Sequence, residues 1–385
     1  MIDVLATFPS LPPDEALQAG LDLGGWVYAG PAAYHLNLGT LRINEDTLLQ
    51  VDPRAHIIRT QGIGMIRNRQ DGDAYGGYGG RGNITIEGGN WHGQGHQPGD
   101  TAAPASIMTF AHGRGITLRD ITFYDVPGLH ALDLIALQTV RVENCRVYGF
   151  KTTEGDGTVR EAIQIDGSYG AYSGDSAPAD ATPCDDVLVT GCRFAASSYL
   201  PAPRRAVGSH GYSEDVSGHE HRNIRILDNT MSAMGDAAVW AWFWKESAIR
   251  GNFVEDAGGS AIVVKDGSYH IDVEHNRIFD PAATGIWVNG GCSNITIHGN
   301  RVIGASAAAN NTHFGVRVSG SCSIVEITTN KVRRRGTGNH AKYGLSISND
   351  CTGIQRHGND LRTSGSTGPL QDLSPSPITS GADAL

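Results

Sequence analysis

The sequence predicts an all-β protein: a right-handed, single-stranded parallel β-helix, a solenoid of about ten rungs with a short N-terminal capping helix. Three observations lead there. One phrase recurs along the chain: a short β-branched strand, a polar pair, Asn or Cys, then a second apolar strand. It stands at Ile84–Trp91 (ITIEGGNW), Ile116–Phe123 (ITLRDITF), Val140–Val147 (VRVENCRV), Val187–Phe194 (VLVTGCRF), Ile224–Met231 (IRILDNTM), Ile271–Ile278 (IDVEHNRI), Ile295–Val302 (ITIHGNRV), Val325–Val332 (VEITTNKV) and Ile354–Leu361 (IQRHGNDL). The anchor within it falls at Gly89, Ile121, Cys145, Cys192, Asn229, Asn252, Asn276, Asn300, Asn330 and Asn359, at spacings whose floor is 23–24 residues. Finally, each rung holds another strand of strict alternation, such as Ala261–Lys265, Gly285–Asn289, Gly315–Ser319 and Gly344–Ser348, with no helical pattern between rungs.

Each element follows from these. A fixed period of this length built from strands is a solenoid signature; larger spacings are the same period plus an insertion. Asn at corners stacks into ladders, and glycine, 51 of 385 residues, supplies positive φ. Period two turns Ile286 and Val288 inward and Trp287 and Asn289 outward. Residues 1–50 precede the regular rungs; within them Asp14–Leu21 (DEALQAGL) reads as a helix closing the open end of the core, as terminal repeats require. Residues 51–361 form the helix proper. Residues 362–385 are rich in Ser, Gly, Pro and Thr and read as a flexible or partner-ordered tail.

Charge narrows the partners. Lys plus Arg is 30 against Asp plus Glu 40, a net −10, which disfavours nucleic acid and anionic membrane. The longest apolar run, near Ala237–Trp244, is far short of the ~18–20 residues of a membrane span. Met1-Ile2-Asp3-Val4 shows no basic region leading into an apolar stretch, so no signal peptide is expected.

Aligned rung on rung, one outward column reads Asp133, Gln164, Gly208, Trp240, Val263, Trp287, Arg317, Ser346. Its neighbour reads Asp166, His210, Trp242, Lys265, Asn289, Ser319, Ser348. Rungs sit ~4.8 Å apart, so both columns form one strip. Trp faces stack on sugar rings; Asp, Asn, Gln and His bond hydroxyls; Lys and Arg meet carboxylate or phosphate on an anionic polymer. Two other readings stand beside a glycan groove: a subunit contact, or cover by the chain's own insertions Tyr169–Pro183, Ser197–Arg205 and His210–His221. For cleavage, Asp133 and Asp166 are one rung and two residues apart, ~8 Å, inside the ~6.5–9.5 Å of inverting glycosidases. Glu161 and Asp236 lie near the start of this face. Arg204 and Arg205 would hold an anionic substrate, lower a carboxylate's pKa, or simply bridge to Glu161.

Weaker patterns carry less. His219-Glu220-His221 with His210 resembles a metal set only loosely and reads better as a polar loop. Asp71-Gly72-Asp73 and Tyr75–Gly82 (YGGYGGRG) suit a loop rather than a Ca²⁺ or phosphate site. Cys145, Cys184, Cys192, Cys292, Cys322 and Cys351 include no CxxC, so no zinc site is expected. Cys292, Cys322 and Cys351 stand in register and read as stacked, semi-buried free thiols. No metal and no cofactor is expected.

The stretch Asp14–Arg59 (DEALQAGLDLGGWVYAGPAAYHLNLGTLRINEDTLLQVDPRAHIIR) with Gly82–Gly95 (GNITIEGGNWHGQG) resembles the opening of the pectate-lyase-like β-helix superfamily, in particular bacteriophage tail spikes and polygalacturonase-type glycoside hydrolases. The resemblance weakens towards Lys265. Matched to the polygalacturonase pattern, Glu161 stands at the first catalytic carboxylate. Arg204-Arg205 replaces an Asp pair, Asp236-Ala237-Ala238 replaces Gly-His-Gly, and Val263-Val264-Lys265 stands for Arg-Ile-Lys. The resemblance implies a virion tail spike or tail fibre-like homotrimer, with or without other tail proteins. It would act in the virion or outside the cell after lysis, binding host surface polysaccharide with or without depolymerising it. The alternatives are a free hydrolase or lyase, the latter using His210 or Lys265 as base and Arg317 to neutralise charge, and a non-catalytic structural tail protein.

Overall fold

The computed structural model describes residues 1–70, 72–99, 103–152, 160–169, 180–210, 218–375, 378–379 and 381–385. Asp71 and the middles of two predicted insertions, 170–179 and 211–217, lie outside the described residues. The chain divides into two compact units, Met1–Pro203 with Tyr212–His221, and Arg204–Gly211 with Arg222–Leu385.

In the first unit the strand pairings among the described residues are parallel and join one rung to the next. One ladder runs through Gly25–Ala29, Thr47–Arg59, Ile84–His92, Arg114–Arg119, Gln138–Glu143 and Asp185–Thr190. A second passes from Ala33–Leu36 through the latter halves of Thr47–Arg59 and Ile84–His92 to Thr122–Val126, Arg146–Phe150 and Arg193–Ala195. The third comprises Leu41–Arg42, Ile66–Arg67, Met108–Ala111, Leu132–Ile135 and Glu161–Asp166. The first fifty residues therefore already contribute rungs. Their cap is the helix Pro13–Leu23, one residue longer at its start and two at its end than the sequence pattern indicates. Ala16, Leu17 and Leu21 bury its inner face, and the enclosed Asp14 carboxylate accepts the N–H groups of Asn37 and Leu38 at 2.9 and 3.0 Å. A short helix, Val4–Thr7, precedes it.

The second unit repeats the plan. Trp244–Arg250, Tyr269–Glu274, Ser293–His298, Ser323–Thr328 and Thr352–His357 form one ladder. Thr230–Ser232, Phe253–Glu255, Arg277–Phe279, Arg301–Ile303 and Lys331–Arg333 form the next. Arg205–Gly208, Val239–Trp242, Ile262–Lys265, Ile286–Asn289, Phe314–Ser319 and Tyr343–Ile347 form the third. Alternation works as the sequence predicts: Ile286 and Val288 are buried, Trp287 and Asn289 half-exposed.

The corner between the first two ladders is an asparagine column. Asn229, Asn252, Asn276, Asn300, Asn330 and Asn359 are all buried. Each of the first five donates its backbone N–H and its Nδ2 to the Oδ1 of the next at 3.0 Å. The column ends at Asp383, whose Oδ1 accepts both donors of Asn359 at 2.9 Å. Described residues of the segment 362–385 are thus tied to the rungs. Gly368–Asp372 pairs with Tyr343–Ile347, and Arg356 binds both Asp372 and Asp383.

The six cysteines are buried. Cys292, Cys322 and Cys351 are more enclosed than the semi-buried thiols expected. The Cys322 thiol is pushed up to about 12, first by its hydrogen bond with Cys292 and then by burial. Among the described residues no helix is long and apolar enough to cross a membrane.

Candidate functional site

In the second unit the third ladder sets most residues of the two expected columns in register, though not all of them face outward. Gly208, Trp240, Val263, Trp287, Arg317 and Ser346 stand opposite one another in turn, and Trp242, Lys265, Asn289 and Ser319 form the neighbouring column. The side chains then pair in ways the pattern does not contain. The Arg205 guanidinium lies over the Trp240 ring at 3.5 Å, and its Nε donates to Asp236 at 2.9 Å. Lys265 sits 4.1 Å from the Trp242 ring centre and 5.2 Å from that of Trp240, with Asp266 pairing its ammonium at 2.8 Å. Phe243 stacks beside Trp242 at 6.0 Å. Each cation–π contact contributes ~0.5–2 kcal/mol, so these cations fix ring orientation as well as charge.

Two tryptophan faces are therefore taken from within. Trp287 is held differently: its Nε1 donates to Ser319 Oγ at 3.0 Å, and that hydroxyl donates to Asn289 Oδ1 at 3.0 Å. Arg317, opposite Trp287, lies over Phe314 at 4.6 Å. Val263, expected to face outward between Trp240 and Trp287, is only 1% exposed. The indole nitrogens of Trp240 and Trp242 and the Nε of Arg317 are buried without a hydrogen-bond partner among the described residues. Unsatisfied buried donors are costly, and here they gather on one surface of alternating aromatic and cationic groups. His210 and Arg204 are half-buried at its start; the Arg204 carbonyl accepts the Asp236 N–H at 2.7 Å.

In the first unit the outward column runs Arg42, Arg67, Thr109, Asp133, Gln164. The first four line a cavity of 640 Å³ with Thr40, Gln61 and Ser106, whose hydroxyl donates to Asp133 at 3.3 Å. Asp133 faces Gln164 and Asp166 faces Ile135, the offset the sequence predicts. The carboxylates differ sharply in access. Glu161 is 0% exposed and Asp166 6%, and Asp166 Oδ1 accepts the N–H of Gly167 at 2.9 Å. Gln164 is 1% exposed, with neither amide atom hydrogen-bonded among the described residues. Arg42 and Arg67 were not singled out from the sequence, although the Thr109–Asp133 register extends straight back to them.

Among the remaining predicted groups, His221 is enclosed, its Nδ1 accepting the Cys184 N–H at 3.0 Å. Burial drives its pKa down to about 3. No cluster of three or more His, Cys, Asp or Glu among the described residues is arranged to hold a metal ion.

A further pocket of 810 Å³ lies on the second ladder of the first unit, lined by His92, Gln94, His96, Gln97, Tyr124, Asp125, Tyr148 and Ala196–Tyr199. The sequence contains its signal. His92, Tyr124 and Tyr148 occupy the same outward position in successive recurring strands, but that phrase was read for its anchor and not for its outer face.

A family described as a right-handed β-helix region matches residues 178–361. No curated protein matches. Among solved structures, the surface adhesin PfbA of Streptococcus pneumoniae is similar, with 18% identity and a TM-score of 0.77 over 95% of this chain and 90% of that one. Tailspike protein 3 of bacteriophage CBA120 gives 14% and 0.60 over 99% and 61%. A family 28 exopolygalacturonase of Yersinia enterocolitica gives 11% and 0.59 over 99% and 78%. With the parallel ladders and stacked corners described above, these likenesses give the chain the fold of a right-handed parallel β-helix.

Proposed function

We propose that the chain binds an anionic surface polysaccharide through the outward columns of the third ladder in the second unit. The observation that carries this is the alternation of Trp240, Trp242 and Trp287 with Lys265 and Arg317 on adjacent rungs. Sugar residues stack on ring edges and exposed faces while carboxylates or phosphates meet the cations. A rung repeat of ~4.8 Å suits an extended chain that contacts several positions weakly. Cleavage is not part of this reading: Glu161 and Asp166 are enclosed, and Asp236 is occupied by Arg205.

The setting we propose is a virion tail spike or tail fibre-like component, assembled as a homotrimer and recognising host surface glycan. A bacterial surface adhesin is the second reading, favoured by the likeness to PfbA over nearly the whole of both chains. Both use the same surface. Affinity electrophoresis of the full chain through gels containing alginate, polygalacturonate or a phosphorylated capsular polysaccharide tests it. At least one should retard the protein. Trp287→Ala and Arg317→Ala should each weaken retardation about tenfold, the equivalent of ~1.4 kcal/mol. Migration unaffected by every polymer, or variants retarded as strongly as the parent, would sink the proposal. Sedimentation then distinguishes trimer from monomer.

A further inference from the structure

We propose that the pocket on the second ladder of the first unit is a separate carbohydrate site, one that takes neutral sugar rings. It stands on a different ladder from the tryptophan surface and rests on different residues.

Its construction is the argument. One wall is a column of rings on successive rungs. His92 and Tyr124 stack with centroids 5.0 Å apart at 11°, and Tyr148 follows at 5.9 Å. His56 backs His92 at 5.1 Å, with a nitrogen–nitrogen contact of 2.9 Å. The next residue in this column is Ala195, so the ring stack ends there and leaves room beside Tyr148. The facing wall is Tyr199, stacked on His96 at 4.3 Å and 10°. Tyr199 is 70% exposed, an unusual position for a large ring, yet it is held in place. The Ser197 hydroxyl accepts the N–H groups of Tyr199 and Leu200 at 3.0 and 2.9 Å and donates to Asp125 at 2.5 Å.

Asp125 ties the two walls together. Its other oxygen lies 2.9 Å from His96 Nδ1, and Gln97 closes on the second nitrogen of His96 at 2.7 Å. The main chain is equally fixed: Gly93 and Gly95 donate to the carbonyls of Tyr124 and Asp125, each at 2.8 Å. The rings are therefore oriented before any ligand arrives, which cuts the ordering cost of binding.

Charge selects the ligand. No Lys or Arg is among the described residues lining the pocket, and the Asp125 carboxylate there would repel an anion. Burial, with His56 beside it, holds the His92 pKa below its ordinary value, so His92 adds no cation at neutral pH. An anionic sugar would lose its water with nothing to receive its charge. A neutral pyranose places its C–H faces on the tyrosines and its hydroxyls on Gln94 and Gln97. The volume falls within the ~300–1,000 Å³ of ligand pockets, so a short oligosaccharide rather than one ring fills it.

Saturation-transfer difference NMR on the full chain tests this with maltotriose, cellotriose and chitotriose as neutral probes and sialyllactose as the anionic comparator. At least one neutral trisaccharide should bind, and more tightly than sialyllactose. Tyr199→Ala should weaken that binding at least about tenfold, while Tyr199→Phe, which keeps the stacked ring, should retain most of it. Tyr199 is exposed, so both variants should melt with the parent, and a melting curve confirms that the comparison is between folded proteins. Binding of none of the three, preference for sialyllactose, or equal loss in the Phe and Ala variants would each overturn the assignment. Acidic polysaccharide retardation reports on the tryptophan surface alone, so either site can fail without the other.

Discussion

His221 illustrates how a residue's chemistry is set by where the fold puts it. In sequence it belongs to a His-Glu-His group open to reading as ligands. In the structure its Nδ1 accepts a backbone N–H and burial holds its pKa near 3, against ~6.5 in an unfolded chain. Between those values the unfolded state takes up a proton that the native imidazole refuses. Stability therefore falls as pH drops from ~6.5 towards 3, by at most ~1.4 kcal/mol per unit from this group, and levels off below. His221→Asn should flatten that slope. Urea midpoints from pH 7 to 4 measure it; parallel slopes for parent and variant would refute the assignment. The tryptophan columns, by contrast, were legible in the sequence, because period two and a constant rung length suffice to place Trp240, Trp242 and Trp287. Their cation partners were not. Arg205 reaches Trp240 across 35 positions of chain, and alternation fixes which face a side chain leaves from, not which neighbour it leans on.

At the level of the element, the asparagine corner was visible as a recurring letter, and its energetics follow from its bonding. Asn276 supplies the Oδ1 that accepts two donors of Asn252, and its own Nδ2 bonds the Ile249 carbonyl and Asn300. Asn276→Ala strands several buried polar groups at once, each costing ~1–3 kcal/mol. A total loss of about 3 kcal/mol is expected from equilibrium unfolding, and Asn276→Asp, which keeps the acceptor, should lose less. Immediately before each anchor the chain turns through positive φ. Asp228, His275 and Thr329 adopt this as do Gly251, Gly299 and Gly358, so the dihedral alone does not demand glycine. At Gly251 and Gly299 space decides instead: a Cβ would collide with the Asp228 carboxylate at the first and meet His275 Nδ1 at 2.5 Å at the second. Gly299→Ala should therefore destabilise by more than the ~1 kcal/mol of left-handed strain. Adding His275→Ala should return part of the loss, which a double-mutant cycle reads directly.

Across the whole molecule, the repeat and its three strands per turn could be read from spacing, while the chain end could not. Residues 362–385 lack alternation, so no pattern reveals that Gly368–Asp372 joins the third ladder or that Asp383 closes the asparagine column. Truncation after Leu361 should expose the edges of Tyr343–Ile347 and Thr352–His357, and an open parallel edge invites pairing with another chain. The truncated protein should melt several degrees lower and self-associate with rising concentration; light scattering that stays monomeric would count against this role. Asp383→Asn should be milder, since it removes the Arg356 ion pair but keeps an acceptor.

The ladders also bear on how such a molecule changes over generations. Val140 stands opposite Val187 across 47 positions of chain, and Ile271 opposite Ile295 across 24, in the same parallel register. Extra residues leave at a corner and return without shifting any rung. Length is thus decoupled from alignment, and a lineage can gain, lose or exchange corner segments while the stack beneath stays as it was. The same tolerance makes those corners natural places to graft a foreign recognition loop.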